Sequence, residues 1–456
     1  MTYASIAPTA APEPGTEPPP RRRTAWSEGV DRLRAAATTE PGRLRIIGAV
    51  LAALVVLFGA VTAWQIADRS AAAEDVVSRS QPLSADAASI YRSLADADTA
   101  SSSGFLAGSG ESRAVRERYE RDIANASRLL VKAAANTGGS AESARQIALL
   151  NEQLPRYTGL IEQARANNRQ GLPLGGAYLR YANERMSTQL LPAAQRLYEA
   201  ETGRLHTDYA RAASWPLAAL AAGLAALALL GWAQYRNFRR TNRVFNHGLL
   251  AATAASLVVL LWLGVGHMVA RAHLHESRAR GQESLKVLND ARIASLQARA
   301  NENLTLVSRG AVLAADKKSD KYDVDFASDM TALQDGLERA GRLADDPAGA
   351  EPVARALAGF REWRARHSAA RATDVSGDYE GALTQVIGGG NSTGASFDKV
   401  DASLQEAVAH EQREFTTAAG NGLGAFGGLA QGAAVLAVLG AVAALLGIGR
   451  RLSEYR

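Results

Sequence analysis

The chain has 456 residues, 51 Lys and Arg against 46 Asp and Glu, a formal net charge of +5 and no cysteine. Its length leaves room for two or three domains. The lack of cysteine excludes disulfide scaffolds, thiol catalysis and Cys-ligated metals; the charge excess is mild, no nucleic-acid partner is expected, and where the charges sit matters more than their sum.

Residues 1–45 read as a cytoplasmic Pro/Arg-rich tail. Residues 1–42 hold seven of the 14 prolines and few apolar side chains, a composition that stays disordered. Within them Trp26, Val30, Leu33 and Ala37 share one helical face after a Ser27 cap. A short helix on the inner leaflet, with Arg32 and Arg34 toward lipid head groups, and a plain linker both fit this pattern.

Four segments carry no Asp, Glu, Lys or Arg: Ile46 to Ala67, Trp215 to Ala233, Leu249 to Ala270 and Leu429 to Ile448. Each has about 20 residues, enough helix to cross ~30 Å of hydrocarbon. The expected spans are 46–67, 214–234, 247–270 and 425–449, with membrane lipid as their partner. The first begins too late and runs too long for a cleaved signal peptide and reads as an uncleaved anchor.

The arginines orient the chain. Arg43 and Arg45 precede the first span. Arg236, Arg239, Arg240 and Arg243 fill the stretch YRNFRRTNRVFN (235–246) between the second and third, and Arg450, Arg451 and Arg456 lie in the tail 450–456. Short basic flanks stay in the cytoplasm. The hairpin and both termini are therefore expected inside, at the cell membrane, with 68–213 and 271–424 outside. The four hairpin arginines are candidates for a cytoplasmic contact.

The two outer intervals, 146 and 154 residues by these bounds, share a pattern. Ser93-Leu94 aligns with Ser295-Leu296; Arg118-Tyr119 and Asp122 with Lys321-Tyr322 and Asp325; Leu154 and Tyr157 with Phe360 and Trp363; Tyr209 with Phe415. An internal duplication and a pseudo-two-fold axis along the membrane normal follow, the two halves packing as an internal pseudo-dimer. Further oligomerisation is left open.

Both intervals read as helical, so the fold class is all-α. Leu83, Ala87, Ile90, Leu94, Ala97 and Ser101 step by three and four, as do Tyr119, Ile123, Ala126, Leu130 and Ala133. Ile147, Leu150, Leu154, Tyr157 and Ile161 repeat the step, and so do Phe326, Met330, Leu333, Leu337 and Ala340. This is the seam spacing of bundled helices. Glycines and prolines at 108–110, 138–139, 171–176, 347–349 and 388–390 divide each interval into four helices, in up-down order. The first and fourth are expected to continue the membrane helices, so that 67–107 stands about 60 Å above the bilayer. Loops 108–112, 168–176, 310–321 and 373–396 then form the tips, the last the most mobile.

Candidate residues follow from this layout. Arg113, Arg169, Lys317, Lys318, Asp374 and Asp378 at the tips are suited to docking an extracytoplasmic partner. Ser101 and Asn303 fall on the seam, where a polar residue fixes register or lines a cavity. Arg92, Arg113 and Arg292 are able to pair a carboxylate ligand but are expected on solvated faces. His267, His273 and His275 read as solvated interfacial histidines and His367 as a satisfied core histidine. Gly424, Gly428 and Gly432, at four-residue spacing, fit either a close-packing face or simple flexibility of the membrane helix, and GNGLGAFGG (420–428) lacks the Lys-Ser/Thr of a phosphate loop. No nucleophile, base and orienting acid assemble, so no catalytic residue, metal or cofactor is expected, and the chain reads as a non-enzyme.

The stretch QPLSADAASIYRSLADADTASSSGFLAG, followed by RYERDIANASRLL, resembles the GlnX-type four-span membrane proteins of actinobacteria. The basic tail, the four spans and the two outer domains extend the resemblance over nearly the whole chain. It implies a relay from an extracytoplasmic glutamine-binding-type solute-binding lipoprotein to cytoplasmic protein kinase G, reporting external acidic amino acids or amides. The layout is also similar to chemoreceptor sensor domains, without their methylated signalling rod. Two other readings remain: a direct small-molecule sensor with a pocket between the bundles, and an envelope scaffold or transporter accessory.

Overall fold

The computed structural model describes residues 40–136, 140–241, 246–276, 281–424 and 427–453. The expected disorder of 1–39, the face around Trp26 and the Gly138-Gly139 break lie outside them. Apart from an isolated bridge between Leu313 and Asp320, the regular structure described is helical. In chain order the helices are α1 (Glu40–Asp75), α2 (Gln81–Ala107), α3 (Arg113–Asn136), α4 (Ala141–Arg169), α5 (Leu174–Arg185), α6 (Leu191–Ala212) and α7 (Leu217–Thr241). Then come α8 (His247–Glu276), α9 (Glu283–Ser308), α10 (Lys321–Leu343), α11 (Pro347–Val375), α12 (Tyr379–Ile387), α13 (Thr393–Gly424) and α14 (Leu429–Ser453). π-Helical turns at Val76–Ser80 and Met186–Leu190 join α1 to α2 and α5 to α6.

Among the described residues four helical stretches are long and apolar enough to cross a membrane; they lie within Gly42–Ala107, Leu174–Arg239, His247–Ala272 and Leu429–Arg450. The helices outrun the apolar segments. α1 starts at Glu40, six residues before Ile46, with a proline in its first turn, where no N–H is missed. α7 runs on to Thr241, so most of the expected hairpin is helix. α14 continues to Ser453, through most of the expected tail.

The chain divides into two compact units. One comprises Met1–Ala60, Leu220–Val259 and Ala434–Arg456. Its core is small: Ala52, Ala233, Ala252, Ala437, Ala441 and Ala444 pack with Leu51, Val55, Leu230, Leu249 and Ile448. The large side chains Val56, Leu57, Leu224, Trp232, Leu257, Val438 and Leu446 point outward. Small inside and large outside is the pattern of helices that meet in lipid. The tightest approach is glycine on glycine: a Cβ on Gly248 would overlap the Ala443 carbonyl and the Gly447 backbone. Asn246 fastens this point, donating Nδ2–H to the Gly447 carbonyl at 3.0 Å and accepting from Gly248 N at 3.2 Å.

This replaces the expected Gly424, Gly428 and Gly432 face. Gly428 has φ +72° in a turn before α14, and open space lies beside Gly424 and Gly428; only Gly432 is pressed, against the Trp262 ring.

The other unit, Val61–Ala219 with Leu260–Ala433, holds two helical bundles around one continuous core. The first is built from α2, α3, α4 and α5–α6. The second is built from α9, α10, α11 and α12–α13. The predicted seams are buried, Ile123 only in part, with Tyr157 and Trp363 fully enclosed. α2 meets α9, and Tyr209 meets Phe415 edge-on, ring centroids 6.1 Å apart.

Two expectations fail here. Residues 373–396 are not one loop: α12 forms inside them and buries Ala382 and Val386 against Leu106, Leu306 and Ala370. The fourth arm of the first bundle also does not run into the membrane helix. α6 stops at Ala212 and α7 starts at Leu217. Pro216 has no N–H to give and restrains Trp215 before it. Two carbonyls within the break are taken by Arg69 of α1, which donates Nε–H to Ser214 O at 2.8 Å and Nη2–H to Trp215 O at 3.0 Å. By contrast, α1, its π turn and α2 follow without a break.

Candidate functional site

The junction of the two bundles concentrates the polar chemistry. α2 and α9 are buried on nearly every side, so each polar group on them needs a partner within the protein. Thr99 donates its hydroxyl to the Leu296 carbonyl at 2.8 Å. Asn303 donates Nδ2–H to Ser102 Oγ at 3.1 Å and Ser103 Oγ at 2.8 Å. Ser101 donates to Asp98 O at 2.8 Å and lies 3.3 Å from the Tyr157 hydroxyl. Asn303 thus fixes α9 against α2, whereas Ser101 is tied within the first bundle.

Arg92 and Arg292 do not lie on solvated faces. Arg92 donates to Asn289 Oδ1 across the junction and to Ser89 Oγ at 2.7 Å. Burial, then the nearby Arg292, brings its pKa down to about 10. Arg292 donates Nε–H to Asp401 Oδ1 at 2.7 Å. Asp401 also holds Arg118 Nη2 at 3.1 Å, joining α3 of the first bundle to α13 of the second.

Each bundle buries one carboxylate on its first helix. Asp98 accepts from the Tyr157 hydroxyl at 3.1 Å and from Asn183 Nδ2 at 2.8 Å. Burial pushes it up to about 6 against those two bonds. Glu302 faces Arg299 Nη1 at 2.5 Å, Trp363 Nε1 at 3.2 Å and His367 Nδ1 at 2.9 Å. Burial works against its charge, but Arg299 and His367 outweigh that and hold it below the usual carboxylate range. His367 is buried, stacked on Phe326 at 3.7 Å, and faces Asp323 Oδ1 at 3.8 Å on its other nitrogen. Burial opposes charge on it, yet Asp323 and Glu302 raise its pKa. It is the satisfied core histidine its position suggested.

Two cavities open at this junction. The smaller, about 180 Å³, lies among α2, α5–α6, α9 and α10 and is lined by Asp98, Asn183, Asn301, Lys321, Asp325 and Asp329 among others. The larger, about 390 Å³, lies among α2, the start of α3, α9 and the α12–α13 turn, lined by Arg118, Arg299, Gly388, Gly389, Gly390, Phe397 and Asp398 among others. In the smaller, burial lifts Asp329 to about 7 although Asn301 Nδ2 donates to it at 2.8 Å. A carboxyl whose folded pKa lies above its unfolded value near 3.9 destabilises the fold increasingly as pH rises from about 4 to 7. Asp329→Asn keeps the acceptor for Asn301 and removes the charge. It is expected to raise stability by about 1–2 kcal/mol at pH 8 and by nearly nothing at pH 4, read from denaturant unfolding at the two pH values.

The predicted docking residues spread over separate turns. Arg113 pairs with Glu117 on its own helix at 2.6 Å, exposed, and Arg169 is exposed in the last turn of α4. Lys317 takes φ +56° in a turn where Lys318 N donates to Asp316 Oδ1 at 2.9 Å. Asp374 accepts from Arg371 at 2.5 Å, and Asp378 caps α12 through Gly381 N at 2.8 Å. These last two are structural acceptors as well as surface charges. In the other unit Arg236 lies over the Trp232 ring at 5.4 Å and Arg239 over Tyr235 at 5.9 Å; the side chains of Arg240 and Arg243 lie outside the described residues.

His267 is not a solvated histidine: it is fully buried and tilted against Trp215, centroids 5.0 Å apart. The side chains of His273 and His275 lie outside the described residues. One metal-like grouping escaped the sequence. His410 Nε2 stands 3.2 Å from Asp346 Oδ1 and 3.6 Å from Glu414 Oε1, so among the described residues these three are able to hold a divalent cation. The same Asp346 oxygen caps α11 through Gly349 N at 2.6 Å, which explains the cluster without an ion. Only the i, i+4 pair His410 and Glu414 was legible locally. Asp98, Glu302, Arg299 and Asp398 were also missed; the signal for the first two was a lone acid on an otherwise small or apolar seam.

No curated protein and no solved structure matches the chain. Residues 72–210, from the end of α1 to α6, match the family model of the actinobacterial sensor domain.

Proposed function

We propose that the protein is a non-enzymatic transmembrane signal relay. In this reading it is an internally duplicated chain whose two bundles lie outside the cell and form a pseudo-dimer. Both termini and the turn after α7 face the cytoplasm. The signal, an external amino acid, arrives through a solute-binding lipoprotein docked on the turns around Arg113, Arg169, Lys317 and Asp378. A cytoplasmic Ser/Thr kinase reads the arginine-bearing ends, the arrangement implied by the GlnX-type resemblance.

One observation carries the sensing role: the stretch that matches a sensor domain begins inside α1 and passes by unbroken helix into the bundle junction. A helix that enters both an apolar span and a polar junction is able to convey a small shift between them. The pairing of Tyr209 with Phe415 and of α2 with α9 supports the duplication. A partner shifts the equilibrium only if its loaded and empty forms bind the two states differently. With the full chain as bait in solubilised membranes, a solute-binding lipoprotein and a Ser/Thr kinase are expected to co-purify, in amounts that change when free amino acids are added. Absence of both partners, or labelling of residue 240 from outside the cell, overturns the relay.

A second reading, direct sensing in the pocket between the bundles, is favoured by the 390 Å³ cavity, whose size falls within the range of small-ligand sites.

A further inference from the structure

We propose that the larger junction cavity binds one small zwitterion per chain, a molecule carrying a carboxylate and an ammonium group a few bonds apart. This rests on the direct-sensing reading and names its ligand.

The argument starts at Arg118. Its Nε donates to Asp96 at 2.7 Å and its Nη2 to Asp401 at 3.1 Å. The remaining Nη1 makes no hydrogen bond among the described residues and faces Asp398 Oδ1 at 3.7 Å. Both residues line the cavity. A cation and an anion stand side by side there, near each other but not joined by a hydrogen bond.

A lone carboxylate at Arg118 would leave Asp398 without a cation; a lone amine at Asp398 would leave Arg118 Nη1 unused, while Asp96 and Asp401 still hold the guanidinium. The Asp398 side chain is 68% exposed and that of Arg118 28%, so the selectivity comes from meeting both charges at once and not from a stranded buried charge. A zwitterion answers both at once, its carboxylate on Arg118 Nη1 and its ammonium on Asp398.

The surroundings agree. Ser392 caps α13 by accepting from Ala395 N at 3.1 Å, and the first turn of α13 borders the cavity. The N–H groups of a first turn have no partner within their helix and favour a carboxylate. Arg299 lines the wall but is not free to bind: Glu302 pairs with it at 2.5 Å, and Thr393 Oγ1 and Val386 O hold it at 3.0 and 3.1 Å. Gly394 permits that approach: a Cβ there would stand 2.8 Å from Arg299 Nη2. Gly389 and Gly390 leave open space along the wall.

The smaller cavity cannot serve as a second copy. Lys321 takes the place of Arg118 but is bound to Asp325 at 2.6 Å. The other charged lining groups, Asp98 and Asp329, are acids, and the volume is about 180 Å³. The two pockets have diverged, so the stoichiometry is one.

The test uses the full chain in lipid nanodiscs, titrated calorimetrically with each free α-amino acid, and with acetate and ethylamine as single-charge probes. At least one amino acid is expected to bind one per chain, while acetate and ethylamine do not compete for it. Asp398→Asn, an exposed change that leaves the fold, is expected to weaken binding about tenfold or more, as is Arg118→Gln; Lys321→Gln is expected to leave it unchanged. If no amino acid binds at millimolar concentration, the proposal and the direct-sensing reading both fall. If one binds and Asp398→Asn and Arg118→Gln leave its affinity intact, direct sensing stands and this site is wrong. Equal competition by acetate or ethylamine overturns the zwitterion.

Discussion

Glu302→Ala is expected to lower the stability of the second bundle by about 3–5 kcal/mol, the cost of stranding one member of a buried ion pair. Its side chain is 1% exposed and that of Arg299 5%. The variant would leave Arg299 with only Thr393 and Val386 O, and would strip Trp363 Nε1 and His367 Nδ1 of their acceptor. The pH profile distinguishes this from a packing defect. Glu302 has a folded pKa below its unfolded value, so its contribution is present above about pH 4.3 and is lost as pH falls through the folded pKa. His367 has a folded pKa above its unfolded value. Its contribution is complete below about pH 6.5 and is lost as pH rises through the folded pKa. The parent is expected to show both limbs in denaturant unfolding; the variant is expected to lose the acid limb and to keep a smaller His367 limb, because Asp323 still faces that ring. A loss under about 1 kcal/mol would mean that water reaches Arg299 and that the network is not closed.

Asp401→Ala is expected to cost about 3 kcal/mol and to loosen the two bundles from each other. Asp401 is the acceptor shared by Arg292 at 2.7 Å and Arg118 at 3.1 Å, and its side chain is 11% exposed. Arg118 keeps Asp96, but Arg292 loses its carboxylate and faces Arg92, whose own charge it already disfavours. Hydrogen exchange along α2 and α9 reads the effect: protection near Thr99 and Leu296 is expected to fall, while that inside α4 and α11 holds. Unchanged exchange at the junction would show that apolar contacts alone hold the bundles together.

The spans and seams were legible because they obey local rules. A charge-free run of about 20 residues has few other uses, and Tyr119 through Ala133 or Phe326 through Ala340 spell a helical face one turn at a time. α2 and α9 broke the rule of one wet face. They run through the middle of the two bundles, so Arg92 and Arg292 had no solvated side to occupy. Their partners, Asn289 and Asp401, are 197 and 109 residues away, a distance no local pattern encodes. α12 was hidden for a different reason: nine residues between glycines carry too little periodicity to be seen, and Ala382 and Val386 gain their meaning only from Leu106 and Leu306. The break before α7 was half visible. Pro216 announces a stop, but the Arg69 clasp that makes it tolerable comes from 145 residues upstream.

That clasp sets which helices act as rods and which as hinges. α1, the π turn and α2 follow one another without a break, so in the proposed relay a shift along this path would pass Gln65 and Arg69. There it is handed sideways: Arg69 grips the carbonyls of Ser214 and Trp215, and Gln65 Oε1 accepts from Ala219 N at 2.9 Å in the first turn of α7. α6 is separated from α7 by four non-helical residues. The start of α7 is therefore tied by hydrogen bonds to α1, across the break that separates it from α6.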